Sequence, residues 1–207
     1  MNDQAQDPKQ DDEAHIILVR AGAWSVTLAA VSFLATIVFL GTHAPAFWRP
    51  HKAISDIGAH GPWSLYMNWF GFILPGLLVI PFSISLLWRA SPPVFLGPLF
   101  LAAGGSTFAA AGVFSYPLPS HNVFAAATPL LLALGIWILS PAAAIWTGWK
   151  AMYWITRVTS LVVFANIGLP WLPIPFPGHY QKVSLLVAWS WLVTVGWSGV
   201  QAKWSDG

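Results

Sequence analysis

Six runs of apolar residues dominate the chain, at about 16–42, 63–88, 94–114, 123–146, 152–172 and 182–201, separated by short polar or proline-bearing connections. Each run is too long for a strand, and none alternates apolar with polar at period two, which argues against a β-barrel. A hydrocarbon layer about 30 Å thick takes roughly 20 apolar residues per helical crossing. The pattern therefore predicts an all-α polytopic transmembrane bundle of six helices. Pro75, Pro81, Pro129 and Pro141 fall inside the runs and predict kinks. The fifth run ends among Pro170, Pro173, Pro175 and Pro177, which cannot all continue a helix. There is no convincing internal repeat.

Composition sharpens this picture. Charged residues make up 8% of the 207 and hydrophobic residues 57%; with about 25% charge usual for soluble domains, lipid is the expected solvent. The division reads as a disordered cytoplasmic tail over 1–13, a transmembrane domain over 14–203 and a short cytoplasmic tail over 204–207. The first 13 residues are polar and unlike a signal-peptide n-region, so the first run is expected to stay as a span. The formal net charge of +2 argues against a nucleic-acid partner, and the lack of cysteine excludes disulfides and thiolate chemistry. Lys9, Arg20, Arg89, Lys150, Arg157 and Lys203 fall at one set of ends and Arg49, Lys52 and Lys182 at the other, which places both termini inside. Trp48, Trp63, Trp88, Trp146, Trp149, Trp154, Trp171 and Trp204 flank turns and read as an aromatic belt. The third run carries Ala102-Ala103-Gly104-Gly105-Ser106-Thr107 and Ala109-Ala110-Ala111-Gly112, small residues that let helix backbones approach closely.

Candidate chemistry gathers on the outer side. Asp56 is the one carboxylate between residues 14 and 205, and five of the six histidines (His43, His51, His60, His121 and His179) fall in the three outer connections. If 52–60 is helical, Lys52, Asp56 and His60 share a face. Asp56 then reads either as an acid/base or metal ligand, or as a helix cap or ion-pair partner of Lys52 or Arg49. His121 opens the fourth run, where Ser120 or Asn122 would cap the helix and the imidazole would face Asp56 across the mouth of the bundle. Asn68 and Asn166 lie within runs, and a buried amide in lipid needs a partner, either a neighbouring helix or a ligand head group. No two histidines have the tight spacing of a local metal motif.

The stretch Ile54-Ser55-Asp56-Ile57-Gly58-Ala59 is followed by Pro62-Trp63 and Met67-Asn68-Trp69-Phe70-Gly71-Phe72. The small-residue third run leads into Gly112-Val113-Phe114, a proline-containing turn and His121, and Gly178-His179-Tyr180-Gln181-Lys182 precedes a Trp-rich last run. Over about 16–202 this resembles the prokaryotic membrane-protein family called domain of unknown function 998. It is more distantly similar to Frag/DRAM/Sfk-type membrane proteins, which have a comparable Ile-Ser-x-x-Gly stretch. The matching positions are Ser55, Gly58, Asn68, Gly71 and His121. The resemblance implies a six-helix bundle in the cytoplasmic (inner) membrane and brings no established activity or cofactor.

Two functional readings follow, and the sequence leaves open whether the protein is an enzyme. In the first it binds a lipid or other amphipathic ligand, or plays a structural role, with Ser55, Asp56, Asn68 and His121 forming a polar site at the outer mouth. In the second it is a metal-dependent interfacial lipid hydrolase, with Asp56, His60 and His121 as catalytic candidates and His60, His121 and His179 as Zn²⁺ ligands. No cofactor is expected beyond that candidate Zn²⁺. The expected partners are membrane lipids and a second copy or another membrane protein. Bis-His haem binding is disfavoured because no two histidines lie mid-membrane.

Overall fold

A computed structural model describes residues 8–44, 48–49, 52–59, 61–168 and 177–201. Every regular element among them is helical. We number them α1 (Pro8–His43), α2 (Ile54–Ala59), α3 (Ser64–Leu87), α4 (Leu96–Val113), α5 (Pro119–Ile138), α6 (Ser140–Thr147), α7 (Ala151–Phe164) and α8 (Pro177–Gln201). The chain is an all-α membrane bundle: α1, α3, α4, α5 and α8 are each long and apolar enough to cross a membrane, and α7 with its 3₁₀ extension, Ala151–Ile167, is a shorter apolar helix. Large apolar side chains point outward along them, among them Trp24, Val38, Leu77, Ile84, Val158 and Leu161. Helices that are apolar on all sides suit lipid on the outside and packing on the inside.

Several boundaries differ from the sequence reading. α1 starts at Pro8, inside the expected tail. Proline is favoured at the first helical position. α5 starts at Pro119 with extended Leu118 before it and no side-chain cap, so neither Ser120 nor Asn122 caps it. The last helix starts at Pro177, which puts Lys182 inside it. Part of the expected fifth run, 169–172, lies outside the described residues.

The prolines act as their chemistry requires. Within α3, residues Met67–Ile73 form a π-helical turn in which the Leu74 N–H bonds to the Trp69 carbonyl, five residues back. In that register the Phe70 carbonyl would pair with the N–H of residue 75, which is proline and has none. Ser32 Oγ of α1 donates to it instead, at 2.8 Å. Pro141 restarts the chain as α6 immediately after Leu139. Pro81 and Pro129 sit within continuous helices.

The five long helices and the shorter α7 form a ring in chain order: α1 packs on α3, α3 on α4, α4 on α5, α5 on α7, α7 on α8, and α8 closes on α1. The small-residue run makes the tightest part. A Cβ on Gly76 of α3 would stand 2.5 Å from the Gly105 carbonyl oxygen of α4, and one on Gly105 would stand 2.7 Å from the Gly76 carbonyl oxygen. On the other side of α4, Gly97 and Gly135 meet in the same way, with the Gly97 carbonyl oxygen 2.9 Å from a Cβ on Gly135. Where both helices lack side chains, the backbones approach until van der Waals contact is made through the chain itself. The ring's interior is filled by Phe33, Phe72, Phe108 and Trp189, with centroids 5.0–6.4 Å apart.

Contacts sort the two ends of the ring. At one, the Arg89 guanidinium lies 4.5 Å from the Trp146 ring centre and packs against Gly199. Burial lowers its pKa to about 10, so it remains a cation at neutral pH and needs the aromatic face it rests on. Arg157 lies over Trp137 at 3.6 Å and its Nε donates to Ser140 Oγ at 2.9 Å, tying α7 to the α5–α6 break. At the other end stand Lys52, α2, Asn68, His121 and Gln181.

Candidate functional site

His121 is set by the end of α4. When that helix stops at Val113, the carbonyls of its last turn lose their intrahelical donors. His121, on the first turn of α5, reaches back to them: Nδ1 is 2.8 Å from the Ala111 carbonyl oxygen and 3.1 Å from that of Phe114. A carbonyl only accepts, so Nδ1 carries the proton. In the neutral ring Nε2 is then a bare lone pair. The residue is 3% exposed, and Nε2 has no hydrogen-bond partner among the described residues. The ring is held edge-on to Phe72 and Tyr116, at 6.4 and 6.0 Å between centres.

His121 lines a cavity of about 80 Å³ enclosed by α2, α3, α4, α5, α7 and α8. Asn166 faces it from the 3₁₀ turn Ala165–Ile167 that ends α7. Ser184 Oγ donates to the Gln181 carbonyl at 2.9 Å, so its lone pairs receive the Asn166 Nδ2 donor. That choice orients the amide, and Asn166 Oδ1 is left as a second buried acceptor without a partner among the described residues. Ser55 and Gln181 contribute polar groups towards the mouth, and Phe108, Leu132, Val163 and Leu185 form apolar walls. Ala125, exposed on α5, also borders the cavity, which therefore reaches the outer surface of that helix. Below it a void of about 10 Å³ shares Phe108, Leu132 and Leu185 and ends at Trp189, whose Nε1 is a third buried polar atom without a partner among the described residues.

The short helix α2 covers the mouth. Ile54 is fully buried beneath it. Its first N–H, on Ile54, donates to Gln181 Oε1 at 2.9 Å. Asp56 Oδ2 accepts the Ala53 N–H at 2.9 Å, the return bond of a capping box. At the other end Asn68 Nδ2 donates to the Gly58 carbonyl at 3.0 Å. Lys182 Nζ, from α8, donates to the Lys52 carbonyl at 3.0 Å. Gly178 has no Cβ, which lets the Lys52 backbone lie against α8.

The four expected ligand-binding residues thus separate. Ser55 and His121 line one cavity, whereas Asp56 and Asn68 hold α2 by its ends. His43 stacks on Phe39 at 4.3 Å, its Nδ1 bonding the Phe39 carbonyl at the end of α1. His179 is on the first turn of α8, outside the cavity lining. His51 and His60 lie outside the described residues. Among the described residues no three of His, Asp and Glu stand close enough to share a metal ion. Sequence reasoning did not reach Gln181 or Thr128. It weighed Asn166 as a helix link or a head-group holder, and here its amide links the end of α7 to Ser184 of α8.

No curated protein and no solved structure matches the chain. A match to the family described as "Protein of unknown function (DUF998)" extends over residues 27–198, from the middle of α1 to the last turn of α8. It takes in all or part of every helix of the ring and all the residues around the cavity, and the chain therefore belongs to that family.

Proposed function

We propose that the protein binds an amphipathic ligand from the surrounding bilayer by its polar head, with the head seated in the cavity beside His121 and covered by α2. The observation that carries this is the cavity itself, lined by the buried His121, whose Nε2 has no partner among the described residues, with an apolar floor and a side bordered by the exposed Ala125 of α5. A buried acceptor without a donor costs about 1–3 kcal/mol, and a ligand donor removes that cost. The cavity holds on the order of five water-sized groups, enough for a head group or the tip of a chain while the rest of the molecule stays in lipid. In this reading the chain crosses the inner membrane six times, α7 included, with both termini and the Arg89–Trp146 end inside.

The test is native mass spectrometry of protein purified from membranes, with Ala125→Trp as the variant. Residue 125 is exposed, so the indole closes the opening without disturbing the core. The wild type is expected to carry bound lipid that A125W has lost at an unchanged melting temperature. Equal lipid on both, or none on either, would reject the proposal. The absence of cysteine makes single introduced cysteines a clean topology probe, with labelling from outside expected at residue 52 and not at residue 150.

A further inference from the structure

We infer that Arg89 forms a phosphate site at the end of the ring opposite the cavity, and that its occupant is the phosphate of an anionic phospholipid in the leaflet on that side. The guanidinium is placed by three helices. It follows the last turn of α3 and lies 4.5 Å from the Trp146 ring centre of α6. It rests on α8 at Gly199, where a Cβ would stand 2.6 Å from Arg89 Cζ and 3.1 Å from Val19 Cγ1 of α1. Its charge has no counter-charge: burial is the one influence that shifts its pKa, and no carboxylate among the described residues acts on it. Its five N–H donors bond no described residue, yet the side chain is only partly buried and none of its nitrogens is sealed from the surface.

The Trp146 face offsets part of the charge but does not accept the in-plane N–H bonds. A partly desolvated cation with open donors fits an oxyanion, and a guanidinium fork meets two oxygens of one phosphate in parallel, which an ammonium cannot do. Depth selects the source. Trp88, the preceding residue, and Trp149 are both exposed, and amphipathic indoles sit at headgroup level, where the abundant phosphate is a lipid's. Arg20, next to Val19, and Lys150, just after α6, are exposed and add positive charge at the same end.

The experiment titrates the detergent-purified protein with phosphatidylglycerol, phosphatidylcholine and diacylglycerol of identical acyl chains and reads bound lipid by native mass spectrometry. Phosphatidylglycerol is expected to bind the wild type about tenfold or more tighter than diacylglycerol, roughly 1.4 kcal/mol, with phosphatidylcholine between them. Arg89→Gln is expected to lose that preference and Arg89→Lys to keep only part of it. Arg20→Gln and Lys150→Gln, which remove the same charge from exposed positions, are expected to change affinity by less than about threefold. An undiminished preference in R89Q, or an equal loss in R20Q and K150Q, overturns the inference. Displacement by inorganic phosphate at a concentration equal to the lipid's would assign the site to free phosphate and overturn the lipid occupant. Ala125→Trp, which closes the cavity at the far end, is expected to keep the preference; its loss there would place the lipid in the cavity and overturn the Arg89 site. If R89Q does not fold, the wild type decides: phosphatidylglycerol is expected to slow phenylglyoxal modification of Arg89 relative to Arg20, and an unchanged ratio overturns the inference.

Discussion

The cover over the cavity is attached at two ends by two different helices, and that arrangement can be taken apart quantitatively. Asn68→Leu removes the bond from α3 to the Gly58 carbonyl, and Gln181→Leu removes the acceptor that α8 offers to the Ile54 N–H. Each neutral hydrogen bond of this kind contributes about 1 kcal/mol net. If α2 opens as one body, each loss raises the population of the open form about fivefold, and the double variant raises it about 30-fold, roughly 2 kcal/mol in all. Ile54 and the Lys182–Lys52 bond stay in place, so the open form remains a minority. Hydrogen–deuterium exchange by mass spectrometry on a peptide spanning 53–59 reads this directly in the regime where exchange follows the opening equilibrium. A peptide from mid-α4 provides the internal standard and is expected to be unchanged. The reasoning is refuted if the double variant exchanges no faster than the faster single variant, because α2 would then fray from each end independently. It is also refuted if α4 accelerates in parallel, because the two amides would then be holding the bundle and not its cover.

Three further outcomes follow from the packing. Gly76→Ala drives a methyl into the Gly105 carbonyl and the Ala109 N–H, 2.5 and 2.6 Å away, and is expected to cost about 3 kcal/mol or more; Gly168→Ala, whose nearest neighbour is 3.8 Å away, stays within about 0.5 kcal/mol, both read by thermal unfolding in detergent. Ser32→Ala leaves the Phe70 carbonyl without its donor on a lipid-exposed helix, at about 1–3 kcal/mol. Adding Pro75→Ala restores an N–H in the π register, so the double variant is expected to lose less than S32A alone. Arg157→Met removes the cation over Trp137 and the bond to Ser140, and is expected to cost about 1–2 kcal/mol and to shift tryptophan fluorescence.

The membrane class and the boundaries of the third run were legible because they depend on local quantities: run length, absence of charge, and the density of small residues that α4 uses against Gly76 and Gly135. Pro75 was legible as a disturbance but not as a π turn, because the outcome depends on Ser32 of another helix supplying the missing donor. Ser120 and Asn122 looked like caps by residue type. Pro119 already begins the helix, leaving no N-cap position for either to occupy. Asp56 was the most conspicuous residue in the sequence by its isolation, and it serves as the return bond of a capping box, which was one of the two readings its position allowed. Gln181 was invisible as a site residue, because its partner, the Ile54 N–H, is 127 positions away and only the closure of α8 onto the ring brings them together.

A polar side chain at the end of a membrane bundle can either satisfy a backbone group that irregular structure has orphaned or wait for something that is not part of the chain. Residue type does not distinguish the two, since Asn68 and Asn166 are the same amide on opposite members of one ring. The distinction lies in the count of atoms already spent. Asn68 commits its donor to Gly58, and its oxygen packs on the glycine that makes room for it. Asn166 commits only its nitrogen, and His121 only Nδ1, so each leaves one buried acceptor without a partner among the described residues. This is why substitution of His121 alone is a poor probe: it removes the bonds that finish α4 together with a side chain that lines the cavity, and a loss of binding would report either. Closing the cavity at Ala125 while His121 stays in place separates them, because the bonds from His121 to the Ala111 and Phe114 carbonyls are then left as they are.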